Sequence, residues 1–183
     1  MGDKRAELEQ VAIDAIKHSG ISSVSFRTLA ETVDVKSSSV HYHFPTKGDL
    51  VESVVRRYSE DFSSELLRIQ REHRTLRRRL VALIEIFEEV SADSEMCLCG
   101  SLAADVHTLN DASKRLLRDF FATTESWLIT VIEDAGSDAI KGLKTHQFAA
   151  LLMASLEGAG LLHRAIGDAK HLNAVRQLVK AMT

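Results

Sequence analysis

Helix-breaking residues are scarce in this sequence of 183 residues, which contains one proline, Pro45, and nine glycines. Because proline and glycine interrupt helices and mark turns, their scarcity favours long helices over a protein of short strands. Cysteine is also rare, since only Cys97 and Cys99 occur. Two cysteines one residue apart exclude a disulfide scaffold and are typical of a reducing compartment.

Long uncharged apolar runs are absent as well. The most apolar candidate for a membrane span, residues 148–166, carries Glu157, His163 and Arg164. The N-terminal residues lack the apolar core of a signal peptide. We therefore expect a soluble, cytoplasmic protein with no membrane partner. The formal net charge of −3 shows no global basic excess, so any contact with nucleic acid has to come from a local patch.

Apolar residues recur at helical spacing along almost the whole chain, as Leu8, Val11, Ala12 and Ala15 do near the start. The pattern predicts an all-α fold of about nine helices. We expect helices over residues 3–19, 26–33 and 37–43, a long helix after a Thr46–Asp49 capping box, a helix from 76, a loop over 91–100, and helices over 102–107, 111–135, 146–163 and 169–182. We divide these into an N-terminal domain, residues 1–48, and a larger helical domain, residues 49–183.

The segment from Ser25 to Leu50 carries the functional signal. It predicts two short helices separated by a tight turn, the arrangement of a helix-turn-helix. Ala30 supplies the small residue that lets the second helix cross close to the first. Asp34 stands in the turn, where a positive φ favours glycine and tolerates Asp or Asn. Phe44 is expected to pack beneath the second helix.

The polar residues of this segment suit a DNA duplex. Its cations can neutralise phosphates, and its hydroxyl and imidazole groups can bond to phosphate oxygens or base edges. Residues at the start of the long helix add backbone N–H groups that favour a phosphate. The candidate DNA contacts are Arg27, Thr28, Lys36, Ser37, Ser38, Ser39, His41, Tyr42, His43, Thr46 and Lys47.

This segment resembles the helix-turn-helix of the tetracycline-repressor (TetR/AcrR) family of transcriptional regulators. The residues that match the family pattern or are chemically similar are Ser25, Leu29, Ala30, Val35, His43, Phe44, Lys47 and Leu50. The departures are Val33 for alanine, Asp34 and Ser38 for glycine, Lys36 for serine, and His41 for a tyrosine that commonly contacts phosphate. His41 or the adjacent Tyr42 can take that role, and Ser37 can replace the serine cap.

The resemblance implies a homodimer that presents one reading helix per protomer to a palindromic double-stranded operator. It also implies that residues 1–48 form the helix-turn-helix DNA-binding domain and that residues 49–183 form a helical effector-binding and dimerisation domain, which binds an unidentified small-molecule effector. Such a regulator is most often a repressor. Candidate effector-pocket residues are the aromatic, methionine and histidine residues Phe62, Phe87, Met96, His107, Phe120, Trp127 and Met153. Each of them can equally be ordinary core.

The last two helices support dimerisation independently. Residues 148–154 are apolar on nearly all sides, and a helix without a polar face needs more cover than a small domain usually provides. A four-helix contact across a two-fold axis would supply that cover. We place the dimer interface at Leu152, Leu156, Ala159, Leu172, Val175 and Val179; burial within one protomer is the alternative.

Two other functions stay open at this point. Cys97 and Cys99 could form a thiol- or metal-responsive sensor, or the protein could bind ligands with a degenerate DNA head. Cysteines with this spacing are more often packing residues, so no metal site and no cofactor are expected. Since no phosphate-binding loop and no nucleophile or metalloprotease motif occurs, we expect no catalytic residues and no enzyme.

Overall fold

The computed structural model describes residues 3–136 and 139–183, and in that part of the chain it is all-helical. Nine α-helices and two short 3₁₀ helices follow one another without a strand in these two ranges. The α-helices are α1 (Lys4–Ser19), α2 (Phe26–Val33), α3 (Ser37–His43), α4 (Lys47–Glu72), α5 (Leu76–Ala92), α6 (Leu98–Ala104), α7 (Asp111–Glu133), α8 (Thr145–Ile166) and α9 (Lys170–Met182). The predicted fold class and number of helices are confirmed.

The first three helices begin and end where the sequence predicts, because local hydrogen bonds mark their ends. The Asp3 side chain accepts from the Arg5 N–H at the start of α1. Gly20, with φ of 79°, follows the last turn of α1 and donates to the Ile16 carbonyl. Each is a known helix-end signal that a sequence displays directly.

Several expected boundaries differ from the structure, and the largest difference lies in the loop expected over residues 91–100. Those residues are not all loop, since α5 continues to Ala92 and α6 begins at Leu98. Leu98, Cys99 and Leu102 are completely buried, and this burial outweighs the helix-breaking tendency of Gly100. The ends of α7, α8 and α9 differ from the expected bounds by one to three residues.

The cap of α7 also differs from expectation. The sequence pattern predicts Asp111 as its N-cap, whereas in the structure the side chain of Asn110 accepts from the Ser113 N–H at 2.8 Å and caps the helix.

The chain divides into two compact units. The first consists of the residues up to Glu60 together with Leu98–Phe120. Within it α1 packs on α2 and α6, and α2 packs on α3. Its core contains Leu8, Ile16 and Phe44, and Ser101 on α6 donates a buried hydrogen bond to the Ile16 carbonyl at 3.0 Å. The helix-turn-helix segment therefore rests on a scaffold that includes residues from the middle of the chain.

The second unit consists of Asp61–Cys97 and Phe121–Thr183. Its centre is the packing of α5, α8 and α9 on one another, with Leu80, Leu83, Phe148 and Leu156 in the core. Arg176 on α9 forms ion pairs with Glu85 and Glu88 on α5. These two units differ from the predicted domains, residues 1–48 and 49–183, because those domains were divided by function and the units are divided by packing. The functional division stays a prediction.

Among the described residues α8 is the one helix that passes a length-and-composition test for crossing a membrane, with a mean hydropathy of 1.2 over its most apolar window. Of the residues in that window, 33% are buried. Since α8 packs on α5 and α9, the helix has a core face within its own unit and an outward face that is still apolar.

Candidate nucleic-acid interface

A capping box sets the start of α2. The Thr28 N–H donates to Ser25 Oγ at 3.1 Å, and the Ser25 N–H donates to Thr28 Oγ1 at 3.2 Å. The Thr28 hydroxyl also donates to the Ser25 carbonyl at 2.9 Å. Thr28 is exposed, as a DNA contact requires, but its hydroxyl proton is already used within the box.

The turn between α2 and α3 depends on Asp34, which has φ of 54° and ψ of 57°. This left-handed conformation confirms the prediction for that position. It turns the chain so that the Val35 N–H donates to the Ala30 carbonyl at 2.9 Å. Ala30 itself is buried, so its small side chain allows the close crossing of the two helices.

The outward face of α3 carries the predicted base contacts. Ser37, Ser38 and His41 are exposed, and Tyr42 is 83% exposed, the most exposed large hydrophobic side chain described. Ser39 and His43 are half-buried. The side chain of Ser37 does not cap α3, contrary to expectation, because Lys36 is the N-cap residue and no side chain bonds to the first turn.

The inward face of α3 is fixed by packing. Val40 and Phe44 are completely buried, and the Arg5 guanidinium lies 5.2 Å from the centroid of the Phe44 ring. The rings of His41 and Phe26 meet edge to face at 4.7 Å. Phe44 therefore packs beneath α3 as predicted, and the exposed His41 ring also contacts Phe26 at the start of α2.

Cationic side chains flank α3. Arg27 on α2 is 82% exposed and lies 4.0 Å from Glu31, while Lys36 is exposed just before α3. An exposed ion pair at that distance contributes little, so Arg27 can exchange Glu31 for a phosphate at low cost. The sequence does not reveal the contact of Arg5 with Phe44, since no local pattern joins α1 to the end of α3.

The predicted capping box at the start of α4 is confirmed. The Thr46 N–H donates to Asp49 Oδ2 at 2.8 Å, and the Asp49 N–H donates to Thr46 Oγ1 at 3.2 Å. The Lys47 ammonium donates to the Ile21 carbonyl at 2.7 Å, and its partial burial lowers the pKa of Lys47. Lys47 therefore reaches back to the end of α1, so contact with a phosphate requires this bond to be exchanged.

The predicted effector-pocket residues fall in both units. In the second unit Phe62, Phe87, Met96, Trp127 and Met153 are all buried. In the first unit Phe120 is buried, with its ring 5.8 Å from that of Tyr58, whereas His107 is exposed. The pocket assignment stays a prediction.

The predicted dimer residues require a correction. Leu152, Leu156, Ala159, Leu172, Val175 and Val179 are all buried within the protomer, where α8 and α9 pack on each other and on α5. The exposed apolar side chains of these two helices are Leu151, Leu161, Leu162, Ile166 and Leu178. The apolar pattern of α8 indicates that the helix is apolar on opposite sides, but it does not show which side faces outward.

Cys97 and Cys99 are buried thiols that form no disulfide. No group of three metal-ligating side chains is found in residues 3–136 and 139–183. Cys97 hydrogen-bonds to Glu157 on α8. Because reactive cysteines are usually partly exposed, the burial of both side chains favours a packing role over a sensor role.

Comparison with known proteins was made with family models, curated proteins and solved structures. A family model described as "Bacterial regulatory proteins, tetR family" matches residues 10–54. A TetR-family transcriptional regulator from Agrobacterium tumefaciens shares 27% identity over 98% of this chain and 97% of its own, with a TM-score of 0.92. A TetR regulator from Legionella pneumophila shares 24% identity over 100% and 99%, with a TM-score of 0.88. A search of curated proteins gave no match.

A further solved structure, the reduced form of Escherichia coli NemR, shares 19% identity over 98% of this chain and 97% of its own, with a TM-score of 0.86, and supports the fold. The fold and the exposed α3 thus define a helix-turn-helix DNA-binding transcriptional regulator. The resemblance to TetR-family transcriptional regulators is confirmed by the family model over residues 10–54 and by the similarity to the Agrobacterium regulator. Regulators of this family are non-enzymatic DNA-binding transcription factors, in agreement with the expectation of no enzyme.

Proposed function

We propose that this protein is a cytoplasmic, effector-responsive repressor that binds a palindromic operator as a homodimer. The observation that carries the proposal is the two-sided construction of α3: Val40 and Phe44 anchor it while Ser38 and Tyr42 face outward. A short helix held rigidly on one side and polar on the other is what insertion into the major groove requires.

The roles follow from side-chain chemistry. Ser37 and Ser38 are small, so α3 can approach the base edges closely, and their hydroxyls can donate or accept. Tyr42 brings a ring and a hydroxyl to the same face, and His41, Ser39 and His43 border it. Arg27, Thr28, Lys36, Thr46 and Lys47 surround this face and are assigned to phosphates, which position the protein without reading sequence.

Dimerisation is assigned to the outward face of α8 and α9. Leu161 and Ile166 are both 53% exposed, and Leu151, Leu162 and Leu178 extend the same apolar surface. Gly158 lies on that side of α8 with no atom within 4 Å of where its Cβ would be, so a second helix could approach closely there. Two copies would form a four-helix contact and place two α3 helices about 34 Å apart or more along DNA.

The effector is assigned to the second unit. Trp127 Nε1 and Glu157 Oε1 are buried there without a hydrogen-bond partner among the described residues. Since buried polar groups normally have partners, such atoms are suitable for a bound small molecule. Effector binding and DNA binding would then be reciprocally coupled.

Selection of random duplexes by the purified protein tests the operator assignment. We expect a two-fold motif, binding that weakens steeply with salt, and an altered preferred sequence for Ser38→Ala or Tyr42→Ala. Ser64→Ala, which changes an exposed serine on α4, is the control and should leave the motif unchanged. Recovery of no two-fold motif would contradict the proposal and favour a ligand-binding protein with an inactive head.

Light scattering tests the dimer. Leu161→Glu should give a monomer with much weaker operator binding, because a charge would be buried at the centre of the contact. Leu67→Glu is a matched control, since Leu67 on α4 is exposed to nearly the same extent, 52%. A Leu161→Glu protein that remains dimeric would place the interface elsewhere.

A further inference from the structure

A cavity of about 270 Å³ lies inside the first unit, beside the helix-turn-helix. It is lined by the short 3₁₀ helix that follows α1, the first turn of α4 and the segment that leads from α6 into α7. Its apolar wall consists of Ile21, Val51 and Leu109. The volume is slightly below the range of about 300–1,000 Å³ that is typical of drug-sized ligands, so the cavity suits a small molecule.

Two opposite charges line this cavity without pairing. The Lys47 ammonium has one hydrogen bond, to the neutral Ile21 carbonyl, although an ammonium carries three donors. Asp105 is half-buried, and no cation lies within ion-pair distance of its carboxylate in the described part of the chain. Both groups therefore lack a counter-charge at the wall of one cavity.

A buried hydroxyl group at the wall of this cavity also lacks a partner among the described residues. Ser113 lines the cavity and is only 1% exposed, yet its Oγ has no hydrogen-bond partner among the described residues. An unpartnered buried hydroxyl is costly unless something satisfies it. The burial that lowers the pKa of Lys47 acts in the same sense, because a nearby anion would offset the cost of keeping the ammonium charged.

We propose that this cavity binds a small zwitterion of the free α-amino acid class with an apolar side chain. The ligand carboxylate would pair with Lys47, its ammonium would pair with Asp105, and its side chain would lie against Ile21, Val51 and Leu109. Ser113 would bond to one of the charged ends. This site lies in the first unit, which contains the helix-turn-helix, and is distinct from the effector site proposed in the second unit.

Calorimetric titration of the full-length, DNA-free protein tests the proposal. The probes are L-leucine, L-valine and L-methionine, compared with 4-methylpentanoate, which lacks the amine, and 3-methylbutylamine, which lacks the carboxylate. We expect at least one amino acid to bind, and each half-analogue of leucine to bind about tenfold more weakly or worse, because one charge-assisted contact is lost. No heat with any of the amino acids, or equal binding of a half-analogue, would overturn the proposal.

Two variants separate binding from folding. Asp105→Asn keeps the side-chain shape and should weaken amino-acid binding about tenfold, while Asp119→Asn, an exposed carboxylate on α7, should leave it unchanged. Ser113→Ala should weaken binding without lowering the melting temperature of the ligand-free protein. Unchanged affinity in both Asp105→Asn and Ser113→Ala would overturn the site. Operator binding without ligand is measured in a separate experiment. A protein that binds no amino acid can therefore still be a repressor, and a protein that binds no operator can still bind an amino acid.

Discussion

Asn110 closes over Gly48: a Cβ on residue 48 would lie only 2.6 Å from Asn110 Nδ2. The amide cannot move aside easily, because Nδ2 donates to Glu52 Oε1 at 3.0 Å while Oδ1 accepts from the Ser113 N–H at 2.8 Å. The first two turns of α4 are thus fastened to the start of α7 through one side chain. Glycine is required at residue 48 for this close approach rather than for an unusual φ.

Gly48→Ala should therefore lower the free energy of unfolding by about 0.5 kcal/mol, measured by urea denaturation. Loss of the Asn110 cap costs about 0.5–2 kcal/mol, and replacing a helical glycine by alanine returns about 0.5–1 kcal/mol. In the Asn110→Ala background the clash is gone, so the same change should stabilise the protein. Stabilisation in both backgrounds would show that Asn110 does not constrain residue 48.

Asp34 offers a test of the helix-turn-helix backbone. Asp34→Ala should destabilise the protein by about 1 kcal/mol, because both side chains carry a strained Cβ in the left-handed region but only Asp can offset that strain by local hydrogen bonding. Asp34→Gly should be neutral or stabilising and should keep operator affinity. Asp93→Ala is the control, since Asp93 ends α5 with φ of −88° and should change stability by no more than about 0.5 kcal/mol. Equal effects of the alanine and glycine changes at residue 34 would contradict the argument.

Lys47 donates to the Ile21 carbonyl in the DNA-free protein, and a phosphate is its proposed partner in the complex with DNA. Lys47→Gln should weaken binding to every duplex alike and reduce the slope of log K against log salt by about 0.9. Lys141→Gln, which removes an exposed lysine of the second unit, should leave the slope unchanged. A slope that Lys47→Gln does not alter would mean that the ammonium stays on Ile21 when DNA binds.

Glu157 predicts how stability depends on pH. Burial raises the pKa of Glu157 to about 7 from 4.5, although the hydrogen bond with Cys97 acts in the opposite direction. The folded protein thus favours the protonated form of Glu157. The contribution of this protonation to the free energy of unfolding is complete below about pH 4.5 and is lost as the pH rises through 7.

Glu157→Gln should remove this dependence. Relative to the variant, wild-type protein should lose about 2 kcal/mol of unfolding free energy between pH 5 and pH 8, as measured by urea denaturation at both pH values. Glu89→Gln, at an exposed position on α5, provides the comparison and should follow the wild type. Parallel pH profiles for wild type and Glu157→Gln would rule out a raised pKa.

Features that depend on neighbouring residues were predictable from sequence. Ser25, Asp34 and Pro45 punctuate the chain, and the bounds predicted for α2 and α3 agree with the structure. The capping box at Thr46 was equally visible, because both partners lie within one turn. These signals act over three or four residues, so a single sequence contains all the information they need.

Features that depend on tertiary packing were not. The choice between Asn110 and Asp111 as the cap of α7 could not be made from two adjacent residues of similar capping preference. The start of α6 at Leu98 reflects burial in the first unit, and the outward side of α8 reflects where α5 and α9 lie. The partner of Lys47 was hidden for the same reason, since Ile21 is far from it in sequence.

The first unit is discontinuous in the chain, which has a consequence during synthesis. A ribosome releases α1, α2 and α3 early, and their mutual contacts can form at once. The hydroxyl of Ser101 that reaches the Ile16 carbonyl, and the amide of Asn110 that covers Gly48, emerge only after another four dozen or more residues have been translated. A nascent chain that ends before Ser101 and Asn110 would therefore present a helix-turn-helix without these two supporting contacts, which can form only after both residues have been translated.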